Sequence, residues 1–333
     1  MTDRITSHDV AREAGVSQAT VSRALRGDAK ISATTISKVT EVADRLGYVP
    51  SNLGRSLSRK STGNIAVVAE LGNLTYPDTL PAMHDELERH GYRLLLVSET
   101  AERELDHALL FDGSVDGVIL TTSRLDSRLP VRLRERGVPF VFLNRVAKGV
   151  DADTVVADNA GGARQVARLL LGDGHSSIAM LAGPTDMSSA GARERAFTAE
   201  LRDAGIDAKD RPVIRTGLTY GDGRRGWAQL VSQRPRPTAV FCSTDAVAVG
   251  LLNAFHEQGG MPRPAVVGFD DSPVASWPAF ELTTVDAHLS EMARAAAEML
   301  VERLRATSEG RNPGFRRVSV PTELVVRRSH VVA

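Results

Sequence analysis

The stretch DVAREAGVSQATVSRAL, residues 9–25, has the layout of two short helices joined by a tight turn. Thr6 is placed to cap the first helix, whose apolar residues recur at helical spacing. Gly15 takes the positive-φ position that ends this helix, and Ser17 caps the second one. The spacing therefore predicts a helix-turn-helix packed on a small core.

The second predicted helix leaves a short polar face turned outward, because Val21, Ala24 and Leu25 are needed for the core. The outward residues are Gln18, Ala19, Thr20, Ser22 and Arg23. Gln or Arg can make bidentate contacts with adenine or guanine edges in a DNA major groove, and Ala can meet a thymine methyl. The alternative is a solvated polar helix face.

A third helix is predicted from a Ser32 cap to Leu46, and a polar linker rich in Ser, Gly, Asn, Arg and Lys covers residues 51–62. Leu57 is an apolar side chain within this linker and has no local core to join. Its burial must therefore come from a partner outside the linker.

Charge is distributed unevenly along the 333 residues, although the formal net charge is zero. Residues 1–60 contain ten Lys or Arg and six Asp or Glu, so the basic excess lies at this end. A basic head on an acidic body suits docking on phosphates.

Cys242 is the only cysteine, which excludes an intrachain disulfide and fits a reducing compartment. The sequence has no membrane-spanning run and no signal-peptide pattern, so we expect a cytoplasmic protein.

The remainder of the chain alternates short β-rich runs with helical patterns, which predicts parallel sheets with crossover helices. A first set of strands is predicted at 65–71, 92–98, 115–121 and 139–144, and a second set at 177–182, 212–216, 239–243 and 265–269. Two such halves in series imply two doubly wound α/β lobes. Ligands of these sheets bind beyond the carboxyl ends of the strands, so a cleft between the lobes is the expected site.

This ordered set of motifs closely resembles the LacI/GalR (lactose-repressor) family of bacterial transcription regulators over essentially the whole chain. Besides the head and the linker, the resemblance is carried by four segments of the body: 155–159, 267–271, 282–285 and 323–329. It implies an N-terminal all-α helix-turn-helix head and hinge, followed by a two-lobed periplasmic-binding-protein-like body of doubly wound parallel sheets.

The resemblance also gives domain boundaries. The head is expected at 1–50, the hinge at 51–62 and the effector-binding and dimerisation domain at 63–333. Its N-lobe would hold about 63–158 plus 287–320, and its C-lobe about 159–286 plus 321–333. The chain would cross between lobes near Asp158, Asp286 and Pro321.

By the same resemblance, Gln18, Ala19 and Arg23 are the base-reading positions, while Ser17, Thr20 and Ser22 hold phosphates. The hinge residues Asn52, Arg55 and Leu57 would contact DNA, with Leu57 wedged between base pairs of the minor groove. Gly54 stands where the family usually has Ala, and glycine costs a helix about 1 kcal/mol relative to alanine.

Five residues are expected to line the effector site: Tyr76, Asn144, Arg193, Thr244 and Asp270. Arg193 and Asp270 match the ligand-binding arginine and carboxylate of the family and suit a small polar metabolite, with a sugar as the first choice. The alternative is a salt bridge or helix cap for Arg193 and Asp270, and surface or packing roles for the other three. Thr244 replaces a customary Asn, and the 217–222 loop is one residue short.

We therefore expect a dimeric, ligand-responsive regulator on a palindromic operator, most simply a repressor, with an activator as an open alternative. An enzyme is disfavoured because the sequence lacks a Gly-rich phosphate loop, a zinc-spaced His pair and a nucleophile elbow. No cofactor or metal is expected. A periplasmic solute-binding protein would need an export signal and would have no use for residues 1–60.

The apolar helices beginning near Pro77 and Asp245 could form the dimer interface or internal core. The chain stops just after Arg328 and Ser329, without a leucine-rich tail, which favours a dimer over a tetramer.

Overall fold

The structure is a computed structural model that describes residues 5–25, 27–48, 61–70, 76–98, 108–259 and 262–331. The chain divides into two compact units, residues 1–62 and residues 63–333. Within the described residues, no helix has the length and apolar character needed to cross a membrane.

The first unit is a three-helix head formed by α1 (Ser7–Ala14), α2 (Gln18–Ala24) and α3 (Ala33–Leu46). Its predicted caps are in place. The Asp9 carboxylate accepts hydrogen bonds from the Thr6 N–H (2.9 Å) and the Thr6 hydroxyl (2.7 Å). Gly15 has φ 65° where α1 ends, and the Ser17 hydroxyl accepts from the Thr20 N–H (3.1 Å). The helix ends are therefore specified locally.

A small apolar core fixes how the three helices pack. Its buried members come from all three: Val10, Ala11, Ala14, Val21, Ala24, Val39, Val42 and Ala43. Because Val21 and Ala24 both point into this core, the opposite face of α2 is turned to solvent.

The first lobe of the second unit is built on a six-stranded parallel sheet in the order β11-β5-β4-β3-β1-β2. Its strands are β1 (Asn64–Ala69), β2 (Arg93–Ser98), β3 (Gly117–Leu120), β4 (Phe140–Leu143), β5 (Asp153–Ala157) and β11 (Arg317–Val320). Helices α4 (Tyr76–Arg89), α5 (Ala108–Phe111), α6 (Leu129–Glu135) and α11 (Leu289–Ser308) belong with it. Strands β1, β3, β4 and β5 are almost wholly buried, as expected for parallel strands covered on both faces.

The second lobe is built on a four-stranded parallel sheet in the order β7-β6-β8-β9. Its strands are β6 (Ile178–Ala182), β7 (Val213–Arg215), β8 (Ala239–Cys242) and β9 (Ala265–Val267). Its helices are α7 (Asn159–Gly172), α8 (Ser188–Asp203), α9 (Tyr220–Leu230) and α10 (Asp245–Gln258), with short 3-10 turns at Ala208–Asp210 and Pro273–Ser276.

The chain passes between the two lobes three times. It leaves the first sheet after β5, returns through β10 (Thr284–Asp286) to α11, and leaves again after β11 through β12 (Glu323–Val325). Strands β10 and β12 pair antiparallel. The two-lobed α/β fold class predicted from the sequence is confirmed. Loops that follow strands of the two sheets contact each other, and the space between the lobes at these loops is the candidate cleft.

One of the two candidate interface helices belongs to the interior. Residues 245–252 of α10 are all buried, and the helix packs along α9. Helix α4 packs on α11 and buries Met83 and Leu87 completely. For α10, the internal-core alternative is therefore the one that the structure supports.

Candidate DNA-reading face and effector cleft

Helix α2 presents an exposed polar face at its N-terminal end. Gln18, Ala19 and Arg23 are exposed, whereas Thr20 and Ser22 are half-buried. The Gln18 amide donates to the Ser7 hydroxyl (3.3 Å), and the hydroxyls of Ser17 and Thr20 lie 2.9 Å apart. No described residue accepts a hydrogen bond from the Arg23 guanidinium. This face therefore offers one guanidinium, one amide and three hydroxyls to an incoming ligand.

The expected hinge residues Asn52, Arg55 and Leu57 lie outside the described residues, as does the side chain of Tyr76. Their roles stay predictions. Tyr76 is the first residue of α4, and α4 follows β1 at the cleft side of the first sheet.

Arg193 lies on α8, with only 4 % of its surface exposed. Its guanidinium donates to the Asn159 side chain (Nε–Oδ1 2.7 Å), the Ser243 carbonyl (Nη1–O 2.5 Å) and the Asp270 carboxylate (Nη2–Oδ1 3.2 Å). It also stacks on Phe269, with Cζ 3.5 Å from the ring centroid. Burial lowers the pKa of Arg193, and Asp270 opposes that shift.

Asp270 follows the carboxyl end of β9 and is held in an unusual backbone conformation. Its φ is 119°, and that of Asp271 is 48°. The Asp270 N–H donates to the Val285 carbonyl (2.9 Å), which anchors the turn against β10. Non-glycine residues rarely occupy such conformations, and where they do, the surrounding structure holds them in place at functional sites.

A second buried carboxyl lies beside this pair. Asp245, at the start of α10, accepts hydrogen bonds from the Ser272 N–H (2.7 Å), the Ser272 hydroxyl (3.0 Å) and the Thr284 hydroxyl (2.5 Å). Burial first, and then the charge of Asp270, outweigh these bonds and raise the pKa of Asp245 to about 8.

The other two described cleft residues have different surroundings. The Thr244 hydroxyl donates to the Leu218 carbonyl (3.3 Å) and accepts from the Val247 N–H (3.4 Å), so it caps α10. Asn144 ends β4 with φ 69° and is half-buried. The loop that precedes α9 is organised by a capping box between Thr219 and Asp222. The effector roles of Thr244 and Asn144 stay predictions.

Arg145 is a site residue that the sequence reasoning missed. It follows Asn144 at the end of β4, has 4 % of its surface exposed, and shifts the pKa values of both Arg193 and Asp270. A basic residue directly after a buried strand, at the carboxyl edge of a parallel sheet, was the available signal.

Loops from both lobes meet at the rim of the cleft. Arg124 forms an ion pair with Asp186, the Leu125 N–H donates to the Asp186 carbonyl (2.8 Å), and the Val146 N–H donates to the Ser188 hydroxyl (3.0 Å). The cleft can therefore couple the contacts of a bound molecule to the relative position of the lobes.

Comparison with known proteins agrees with both parts of this description. Residues 6–51 match the family model for bacterial regulatory proteins of the lacI family, and residues 167–330 match that for periplasmic binding protein-like domains. The chain is 32 % identical to the HTH-type transcriptional regulator CelR of Thermobifida fusca, over 98 % of each chain.

Two solved structures are similar over nearly the whole length. A CelR–cellobiose complex matches with a TM-score of 0.73 and 31 % identity, covering 98 % of this chain and 100 % of that one. A lac repressor dimer bound to operator and an anti-inducer matches with a TM-score of 0.83 and 25 % identity, covering 99 % of this chain and 100 % of the other.

Proposed function

Since this chain belongs to the LacI family of bacterial regulatory proteins, we propose that it is a sequence-specific transcriptional repressor that a small polar effector controls. The observation that carries the proposal is that one chain combines two features. Helix caps and a small core fix the head so that the polar face of α2 is exposed, and the second unit contains a buried, polar cleft. In this proposal the protein is a cytoplasmic regulator and not an enzyme, as its relatives are transcription regulators.

The head would place α2 in the major groove. Arg23 and Gln18 would read base edges through paired hydrogen bonds, and Ala19 would contact a thymine methyl. Ser17, Thr20 and Ser22 would hold phosphates, which position the helix without reading sequence. The exposure of Arg23, Gln18 and Ala19 supports this division of roles.

The protein would act as a dimer on a palindromic operator. One head reads too few bases to select a site in a genome, whereas two heads related by a two-fold axis read two half-sites. The similar lac repressor structure is a dimer on its operator. Hinge residues Asn52, Arg55 and Leu57 would add contacts at the centre of that site, with Leu57 as a minor-groove wedge.

The effector would bind between the lobes, against Arg193 and Asp270, with Asn144, Thr244 and Tyr76 completing the site. Paired donors and acceptors in a buried cleft suit a hydroxyl-rich molecule, and the CelR relative is known in complex with cellobiose. To switch DNA binding, the effector must bind one arrangement of the lobes better than the other.

Replacing Arg23 with alanine is expected to weaken operator binding by roughly 5- to 150-fold for each half-site and to relax the preference for one base in each half-site, because a bidentate base contact contributes about 1–3 kcal/mol. Anisotropy titrations against the operator and its single-base variants measure both effects. Arg45, an exposed head residue paired with Glu13 (3.0 Å), is the matched control, and Arg45→Ala should leave base preference unchanged. Equal weakening on all sequences would instead assign Arg23 to phosphate binding.

Selection from a pool of random DNA duplexes tests the proposed function. The full-length protein should enrich a palindrome with two half-sites, and binding to the selected duplex should fall steeply with added salt. Enrichment of a single, non-repeated half-site would contradict the dimeric arrangement. The absence of any enriched sequence, both alone and with metabolite extracts added, would contradict sequence-specific binding.

A further inference from the structure

The side chain of Arg145 is buried in the cleft and has no hydrogen-bond partner among the described residues. Only 4 % of the residue's surface is exposed, and its Nε is fully buried and unpaired. A buried guanidinium N–H without an acceptor is costly, since charged groups in protein interiors are normally paired. The guanidinium can therefore bind an acceptor that the described part of the chain does not supply.

The other two buried arginines of the described chain show what a satisfied guanidinium looks like. Arg193 makes the three hydrogen bonds described above and pairs with Asp270. Arg303, 7 % exposed, pairs with the buried carboxylate of Asp153 and donates to the carbonyls of Pro313 (3.3 Å) and Gly314 (3.1 Å). Arg145 differs from both, since no described residue offers its guanidinium a hydrogen-bonded carboxylate or carbonyl.

The two buried carboxylates near Arg145 are already engaged by other groups. Arg145 and Asp245 both act electrostatically on the Arg193–Asp270 pair. Asp270 is paired with Arg193, and Asp245 accepts its hydrogen bonds from Ser272 and Thr284. Asn144, the neighbour of Arg145 at the strand end, is uncharged. Among the described residues, Arg145 is therefore the guanidinium of this cluster that has no paired carboxylate.

We propose that the effector of this protein is anionic, an acidic sugar derivative whose carboxylate or phosphate oxygens bind the guanidinium of Arg145. This inference rests on the proposed function and specifies the chemical class of its effector. The planar fork of arginine matches carboxylate and phosphate oxygens in a bidentate manner, and such charge-assisted bonds are stronger than those to neutral hydroxyls. A neutral sugar could accept hydrogen bonds from Arg145, but it would leave the buried charge uncompensated.

A stability measurement tests the uncompensated charge without any ligand. Arg145→Met keeps an unbranched apolar stem and removes the guanidinium with its charge, so the ligand-free protein should melt about 3 °C or more above the wild type. The matched control is Arg303→Met, which removes the buried guanidinium that pairs with the buried carboxylate of Asp153, so its melting temperature should fall. A lower melting temperature for Arg145→Met would show a structural role for Arg145 and overturn the proposal.

A binding measurement tests the ligand class. Calorimetric titrations use matched sets that share one pyranose ring: glucose, glucuronate and glucose 6-phosphate, with the same three forms of galactose. We expect an acid or a phosphate ester to bind about 100-fold or more tightly than its neutral parent, and Arg145→Met to abolish that preference. Tighter binding of the carboxylates alone would identify a carboxylate effector, and tighter binding of the phosphate esters alone would identify a phosphate effector.

Asn144→Asp provides the converse test, because it places a carboxylate next to Arg145 at a position with φ 69°, which Asp tolerates nearly as well as Asn. The binding preference of this variant should then shift from the anionic forms toward the neutral parent sugar.

A neutral sugar that binds the wild type as tightly as its acid, with affinity unchanged in Arg145→Met, would overturn the proposal. If no sugar in the panel binds, the melting temperature of Arg145→Met decides.

These outcomes are independent of the proposed function. An effector preference for neutral sugars would leave the selected operator and the repressor assignment intact. Failure to select an operator would leave the melting-temperature difference between Arg145→Met and Arg303→Met unaffected.

Discussion

Replacing Asp270 with asparagine is expected to lower the free energy of unfolding by about 3–5 kcal/mol, because it leaves the buried Arg193 guanidinium without a counter-ion. Arg193 cannot discharge at accessible pH, so the cost falls fully on the folded state. Asparagine, like aspartate, tolerates unusual backbone conformations. The φ of 119° at position 270 therefore adds little to the loss of stability. Urea denaturation of the ligand-free protein measures the effect.

Two further variants separate the charge effect from general damage to the cleft. Arg193→Met should cost less than Asp270→Asn, because burial raises the pKa of Asp270 and the stranded carboxyl can take up a proton. Asp271→Asn is the matched control at the next residue, since its partner Arg327 (2.7 Å) is partly exposed, and it should cost about 1 kcal/mol or less. A cost for Asp270→Asn no greater than for Asp271→Asn would contradict the account of the buried pair.

Replacing Gly250 with alanine is expected to cost about 3 kcal/mol or more, because helices α9 and α10 cross with their backbones in contact. A Cβ at Gly250 would lie 2.0 Å from the Tyr220 carbonyl oxygen, and one at Gly223 would lie 2.0 Å from the Val247 carbonyl oxygen. Both obstacles are backbone atoms, so the helices themselves must separate. Thermal and urea denaturation measure the loss.

Gly172, the last residue of α7, offers the same substitution without the obstacle. No atom lies within 4 Å of the Cβ that alanine would add there, and its φ is not in the positive range. Gly172→Ala should therefore stabilise the protein, by about 0.4–1 kcal/mol. If Gly250→Ala changed the free energy of unfolding no more than Gly172→Ala, that result would contradict the close backbone contact between α9 and α10.

The head could be predicted in detail from the sequence, because its helix ends are set by short-range chemistry. The cap at Thr6, the positive φ of Gly15 and the cap at Ser17 each depend on residues at most three positions apart. The strands β1, β3, β4, β6 and β8 were also predictable, since each is a buried apolar run.

Elements stabilised by distant partners could not be predicted as strands. Strand β11 exposes its first three residues, so nothing in Arg317–Val320 distinguishes it from a loop until it pairs with β5. The three-residue strands β10 and β12 are likewise defined by pairing with each other across about forty positions of the chain.

The cleft was predicted only in part, for the same reason. Arg193 and Asp270 were singled out by their motifs, and the structure brings them together. The burial of Arg145 and Asp245 depends on which loops cover them, and the sequence does not reveal that a guanidinium lacks an acceptor or that two carboxyls share one desolvated site. The electrostatics of the cleft therefore emerge only from tertiary structure.

The most direct test of effector-controlled DNA binding is the operator dissociation constant, measured by anisotropy with and without a saturating effector identified by the calorimetric panel or from a metabolite extract. The account predicts a change of about 5- to 150-fold, and operator DNA must change the dissociation constant of the effector by the same factor. An operator dissociation constant that stays the same while the effector occupies the cleft would contradict the account, because the site would then bind a small molecule without controlling the head.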